Sequence, residues 1–172
     1  MNLQSTDFEL FGIPAQFAQD RATLDAKWKD LQREAHPDKF AAQGVAAQRV
    51  AMQWSVRINE AYQRLKDPLK RASYLCEING APINAENNTA LPTDFLLLQM
   101  RWREALDDAK TLQDISEISL EANKYRGDQL SKIECSIDVL KDFSTAATQV
   151  RSLMFIERFQ TEVEARIDQL GQ

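Results

Sequence analysis

The sequence predicts an all-α protein made of two helical units. Apolar residues recur at spacings of three and four along most of the chain, and almost no stretch alternates with a period of two. A composition with 5 glycines, 5 prolines and 27% charged residues also suits a helical protein. The longest uninterrupted apolar runs, Phe95 to Leu98 and Leu153 to Ile156, are four residues long. A bilayer-crossing helix needs about 20, so we expect no membrane partner.

Asp7 to Gly12 reads as a short helix, closed by Gly12 and Pro14. Asp20 can cap a second helix, Arg21 to Ala35, which carries Leu24, Trp28, Leu31 and Ala35 on one side. Pro37 lacks an N–H and pushes the residue before it out of the α region, so His36 ends this helix and opens a loop. A third helix runs from Val45 to Lys66 with Ala51, Ile58, Tyr62 and Leu65 aligned. Trp54 lies off that stripe, and we expect it to be partly exposed or packed against the second unit. Asp67-Pro68 stops the helix, and Pro68 opens a short fourth one through Cys76.

Asn79-Gly80-Ala81-Pro82 and the polar run 84–89 then break the pattern. They divide the chain into a first unit (1–78), a linker (79–91) and a second unit (92–172). The second unit has helical patterns over Pro92 to Lys110, Leu112 to Lys141 and Phe143 to Leu170, enough for a three-helix bundle. Gly127 weakens the middle helix by about 1 kcal/mol relative to alanine.

Charge divides along the same boundary. Residues 1–80 hold 11 basic and 10 acidic side chains, whereas the remainder hold 10 and 16. The net charge of −5 argues against nucleic-acid binding, and the two halves should meet different partners. Cys76 and Cys135 are far apart, with no neighbouring Cys or His to complete a metal site. They read as reduced thiols, and the N-terminus has no secretory pattern, so the expected compartment is the cytoplasm.

His36-Pro37-Asp38-Lys39 contains the sole histidine and is displayed between two helices. Catalysis by a His36–Asp38 pair would require a nucleophile and a desolvating pocket, and a tight exposed turn offers no such pocket. We therefore expect no enzyme, no catalytic residue, no metal and no cofactor. The other plain reading is an ordinary helix-ending turn. The segment from Pro92 to Lys110 is the second informative feature. Phe95, Leu98, Trp102, Leu106 and Ala109 share one side, which suffices to face a bundle core. Leu96, Leu97 and Met100 fall on the other side with Glu104 and Asp108, and such grouped apolar residues edged by charge mark an interaction surface.

Residues 7–76 resemble the J-domain, the module by which co-chaperones stimulate a DnaK-type chaperone ATPase. The resemblance rests on Phe8-Glu9-Leu10-Phe11-Gly12-Ile13, the amphipathic second helix, the His36-Pro37-Asp38 loop and the closing string Leu65 to Tyr74. It implies that His36, Pro37 and Asp38 touch the chaperone, with Asp38 accepting a hydrogen bond from an arginine there. It further implies that Lys27, Arg33 and Lys39, and to a lesser degree Lys29, meet an acidic surface on that partner. A solvated helix face is the plainer reading of these cations, because Asp25, Asp30 and Glu34 lie among them.

The second unit resembles the C-terminal domain of the HscB-type co-chaperones of iron–sulfur cluster biogenesis. The strings that carry this are Phe95-Leu96-Leu97, Gln99-Met100, Arg103-Glu104-x-Leu106-Asp107-Asp108 and Val150-Arg151-x-Leu153-x-Phe155-Ile156. The match implies that Leu96, Leu97, Met100, Glu104, Asp108 and Phe155 bind an IscU-type scaffold protein. Phe155 stands at the edge of its helix's stripe and has a core reading too. Arg101 departs from the family, whose members often have an acid there. The chain lacks the N-terminal cysteine module of some eukaryotic members, so a bacterial-type protein is expected. The reading is a monomeric adaptor without chemistry of its own, delivering the scaffold to an HscA/DnaK-type ATPase and stimulating it. The alternative is a general J-domain co-chaperone for unfolded clients.

Overall fold

Helix ends in this protein are set by short polar side chains and by residues that cannot continue a helix. The structure, a computed structural model, describes residues 2–84 and 91–171, and residues 85–90 of the expected linker lie outside them. Seven α-helices occur among these residues: α1 (Asp7–Phe11), α2 (Arg21–Ala35), α3 (Val45–Lys66), α4 (Pro68–Ile78), α5 (Thr93–Asp108), α6 (Leu112–Glu134) and α7 (Phe143–Leu170). No strand occurs among the described residues, and none of the helices is long and apolar enough to cross a membrane. The chain divides into two compact units, Met1–Leu75 and Cys76–Gln172.

In the first unit, the Thr6 hydroxyl accepts from the Glu9 N–H to start α1, and Gly12 at φ 63° ends it. Asp20 caps α2 by accepting from the N–H and hydroxyl of Thr23. These bonds favour the charged carboxylate and hold it below its usual pKa. Helices α2 and α3 form an antiparallel hairpin. Trp28 stacks on Tyr62 with ring centroids 4.8 Å apart, and the Trp28 and Gln32 side chains both donate to Asn59 Oδ1. The Tyr62 hydroxyl donates to Asp25, which in turn pairs with Arg21.

The expected α3 stripe of Ala51, Ile58, Tyr62 and Leu65 is buried. The α2 stripe is not uniform: Leu24 is buried, but Trp28, Leu31 and Ala35 are half-covered. The cause is that the caps and side chains of α1 and α4 secure the other end of the hairpin. Towards residue 36 the two helices leave an apolar cavity of about 500 Å³ lined by Leu31, Phe40, Val50, Trp54 and Ile58. Trp54 is half-buried and contributes to this wall.

At the secured end, Asp7 is fully buried and is held by two arginines of α3. Arg64 reaches it through Nε at 2.6 Å and Nη2 at 2.9 Å. Arg57 Nη1 lies 2.8 Å away, an ion-pair contact without good hydrogen-bond geometry. The Asp7 N–H donates to the Tyr74 hydroxyl at 2.9 Å, which ties α1 to α4.

The second unit is an up-down-up bundle of α5, α6 and α7. Helix α6 opens with a capping box, in which the Thr111 hydroxyl accepts from Asp114 N–H while Asp114 accepts from Thr111 N–H. Its backbone is continuous through Gly127, where a Cβ would meet open space. The α-helical pattern stops at Glu134, sooner than the expected Lys141. A π turn follows over Cys135–Val139, and Lys141 adopts φ 54°, which no α-helix allows. Asp142 then caps α7 by accepting from Thr145. At the core's centre Trp102 stacks on Phe159 and meets Tyr125 edge-on, and Ile115, Ile133, Val150, Leu153 and Ile156 are buried along α6 and α7.

Replacing Asp7 by Asn leaves Arg57 and Arg64 with no counter-ion in a covered site. The expected loss is about 3 kcal/mol in the unfolding free energy of the first unit, read as a lower urea midpoint. A loss below about 1 kcal/mol would show that the ion cluster does not anchor α1. Burial pushes the Cys76 thiol up to about 11, whereas Cys135 is exposed. A disulfide-exchange reagent at pH 8 should titrate one thiol quickly and the second only after denaturant is added; two fast thiols would contradict the buried position of Cys76.

Candidate functional site

Two surfaces hold all the residues singled out from the sequence. The first is the tip between α2 and α3. His36 takes φ −61° and ψ 127°, the extended conformation that the ring of Pro37 demands of its predecessor, and α2 therefore stops at Ala35. The expected loop is in fact a 3₁₀ turn over Pro37–Gln43. Pro37 supplies its preset φ, His36 Nδ1 accepts from the Asp38 N–H at 3.2 Å, and Lys39 N–H donates to His36 O at 3.0 Å.

Gly44 closes the turn at φ 100°, a backbone conformation that side-chain-bearing residues rarely adopt. No residue of this turn is buried. The Asp38 side chain is 91% exposed and the His36 side chain 58%, so the carboxylate and imidazole are displayed rather than desolvated. Lys27, Arg33 and Lys39 are exposed as well, Arg33 lying 3.6 Å from Asp30. These are exposed charged groups, and neither His36 nor Asp38 lines the apolar cavity beside them.

The second surface lies on α5. Phe95, Trp102, Leu106 and Ala109 are buried and Leu98 half-buried, so this side of the helix faces the core. Leu96, Leu97 and Met100 are left 43, 60 and 65% exposed, with Glu104 and Asp108 exposed one and two turns on. Helices α5 and α7 run parallel with a constant offset, since Arg103 pairs with Glu162 at 2.8 Å, Trp102 stacks on Phe159, and Arg166 donates to Ala109 O. The same offset sets Phe155 level with residues 96–98 of α5. Phe155 is half-buried and Arg158 lies 5.3 Å from its ring centroid. By that register Phe155 comes at the level of the apolar group of α5, and it stays partly open to solvent.

Arg101 lies within this surface, and its guanidinium is paired with Glu121 of α6. Sequence reading did not find Glu121. The signal lies only in the antiparallel register of α5 with α6, which also brings Phe95 against Tyr125. Among the described residues, no group of three or more His, Cys, Asp or Glu is arranged to hold a metal ion.

A J-domain with a displayed His-Pro-Asp tip, followed by a helical domain with an apolar and acidic face, defines a co-chaperone that works by contact. The profile of a family described as "HSCB C-terminal oligomerisation domain" matches residues 91–164. The chain is 46% identical over 173 residues to the co-chaperone protein HscB homolog of Burkholderia thailandensis, spanning 99% of this chain and 98% of the relative. The homologue of Burkholderia multivorans is 45% identical over the same span. Among solved structures, the chaperone HscB from Vibrio cholerae superposes with a TM-score of 0.83 at 33% identity, covering 96% of this chain and 99% of that one. Human co-chaperone protein HscB shares the fold, with a TM-score of 0.90 at 22% identity, over 96% and 84% of the two chains. The chain belongs to the HscB co-chaperone family. Its role is that of a non-enzymatic co-chaperone in iron–sulfur cluster biogenesis.

Proposed function

We propose that this protein binds an IscU-type scaffold through the α5 face and stimulates the ATPase of an HscA/DnaK-type chaperone through its His36-Pro37-Asp38 tip. The observation that carries the reading is the open row of Leu96, Leu97 and Met100 on a helix that already fills a bundle core with its other side. A helix in a folded monomer has no use for that second apolar side, and exposing it costs solubility. Glu104 and Asp108 continue the row, so the complementary partner is apolar and basic. Met100, with its flexible thioether, suits a surface that must adapt to a partner.

At the other site, Asp38 offers an ionised acceptor to an arginine of the chaperone, where a charge-assisted bond is shorter and stronger than a neutral one. His36 and Pro37 fix the direction in which the carboxylate is presented. Lys27, Arg33 and Lys39 supply positive charge around it, which mainly sets the association rate and its salt dependence. Contact at the tip favours the hydrolysis-competent chaperone, which then retains the scaffold. Because one polypeptide carries both contacts, the second encounter is effectively intramolecular and benefits from a raised local concentration. In this reading the protein acts as a monomer in the cytoplasm.

Asp38→Ala should abolish ATPase stimulation while scaffold affinity stays within a factor of about 3 of the parent, since the substitution is on the exposed tip. Stimulation at the parental level would remove the tip from the mechanism. Leu96→Ala combined with Phe155→Ala should weaken scaffold binding by a factor of about 10 or more in isothermal titration, with stimulation by the co-chaperone alone largely kept. An unchanged affinity would exclude the α5 face as the contact.

A further inference from the structure

Arg101 is out of place on the α5 face. Leu97, Arg101, Glu104 and Asp108 follow one another at spacings of four, three and four, so they form one row along the helix surface. Glu104, Asp107 and Asp108 have no ion-pair partner among the described residues, and their charge is open to a cationic partner. A guanidinium between Leu97 and Glu104 would oppose such a partner if it projected outward. It does not project freely, because Arg101 Nη2 is bound to Glu121 Oε1 of α6, drawing the side chain sideways over the groove between the helices. Glu117 and Asp108 also border that groove, and Ala105 and Ala109 are the small residues of its α5 wall, so the guanidinium lies in negative surroundings.

The pair contributes little to folding. The side chains are 64% and 49% exposed, and ion pairs so open to solvent are screened and weak. Its effect is therefore felt at the face itself. We infer that Glu121 is a positioning residue for scaffold recognition: it holds Arg101 back so that the α5 face presents apolar and acidic groups to a basic partner without a competing cation. This rests on the reading of α5 as the scaffold contact. The specificity follows from both halves of the pair. A partner with basic groups opposite Glu104 and Asp108 is accepted while Arg101 is held, and is repelled when Arg101 is released.

The test is a titration of the IscU-type scaffold with the full-length parent, Glu121→Gln, Arg101→Gln and the double variant, at low salt and at about 0.5 M salt. Release of Arg101 by Glu121→Gln should weaken binding about three-fold at low salt, the scale of a single exposed charge interaction. The loss should disappear at high salt and in the Arg101→Gln background, while melting temperatures stay within about 1 °C of the parent, since neither group is part of the core. Tighter binding of Glu121→Gln would mean that Arg101 itself grips an acid of the partner, and the inference would be overturned. Unchanged binding, or a loss that persists without Arg101, overturns it as well. The Leu96→Ala, Phe155→Ala variant belongs in the same series: if that variant binds like the parent, the scaffold reading of α5 fails, whereas if it weakens and Glu121→Gln does not, only the role of Glu121 fails.

Discussion

The steric exclusion that Pro37 imposes on His36 decides the form of the whole first unit. Without it, α2 could run on and the hairpin would have no tip. With it, the chain leaves the helix in an extended conformation, turns through a 3₁₀ segment, and re-enters a helix only after Gly44. Every other feature of the unit serves to hold that interruption at one end. The buried Asp7 with Arg57 and Arg64, the Asp7–Tyr74 bond and the Trp28–Tyr62 stack lock α1, α3 and α4 to α2 at and beyond the middle of the hairpin. The tip itself is left with no buried residue.

The second unit solves a different problem. A three-helix bundle needs one apolar side from each helix, and Trp102, with Phe159 and Tyr125 around it, provides the widest part of that core. Once that side of α5 is committed inward, apolar residues on its other side are surplus to folding. On our proposal they serve the contact with a scaffold partner. Phe155, half-buried on α7 at the level of residues 96–98, is neither closed into the core nor fully open.

Much of this was legible in the chain. The ends of α2 and the stop of α3 follow from Asp20, Pro37 and Pro68, because capping and steric exclusion are local effects. The double-sided character of α5 is equally local, being a matter of 100° per residue. The features that sequence reading did not supply are those that depend on register between distant segments. The π turn after Glu134 satisfies its backbone by bonds such as Leu140 N–H to Cys135 O, a choice that no local propensity announces. The burial of Asp7 requires two arginines fifty or more residues away. Arg101 and Glu121 could be read as charges, but not as a pair. The fading of the α2 stripe towards Ala35 had the same origin: periodicity tells which residues share a side, not whether anything arrives to cover them.

The groove behind the tip leaves apolar surface of the first unit in contact with solvent. Leu31, Phe40, Val50 and Trp54 border it and stay partly uncovered, whereas Leu24, Ile58 and Leu65 of the same hairpin are closed off from solvent. The hairpin is therefore packed shut at the Asp7 end and open at the end that carries the displayed tripeptide.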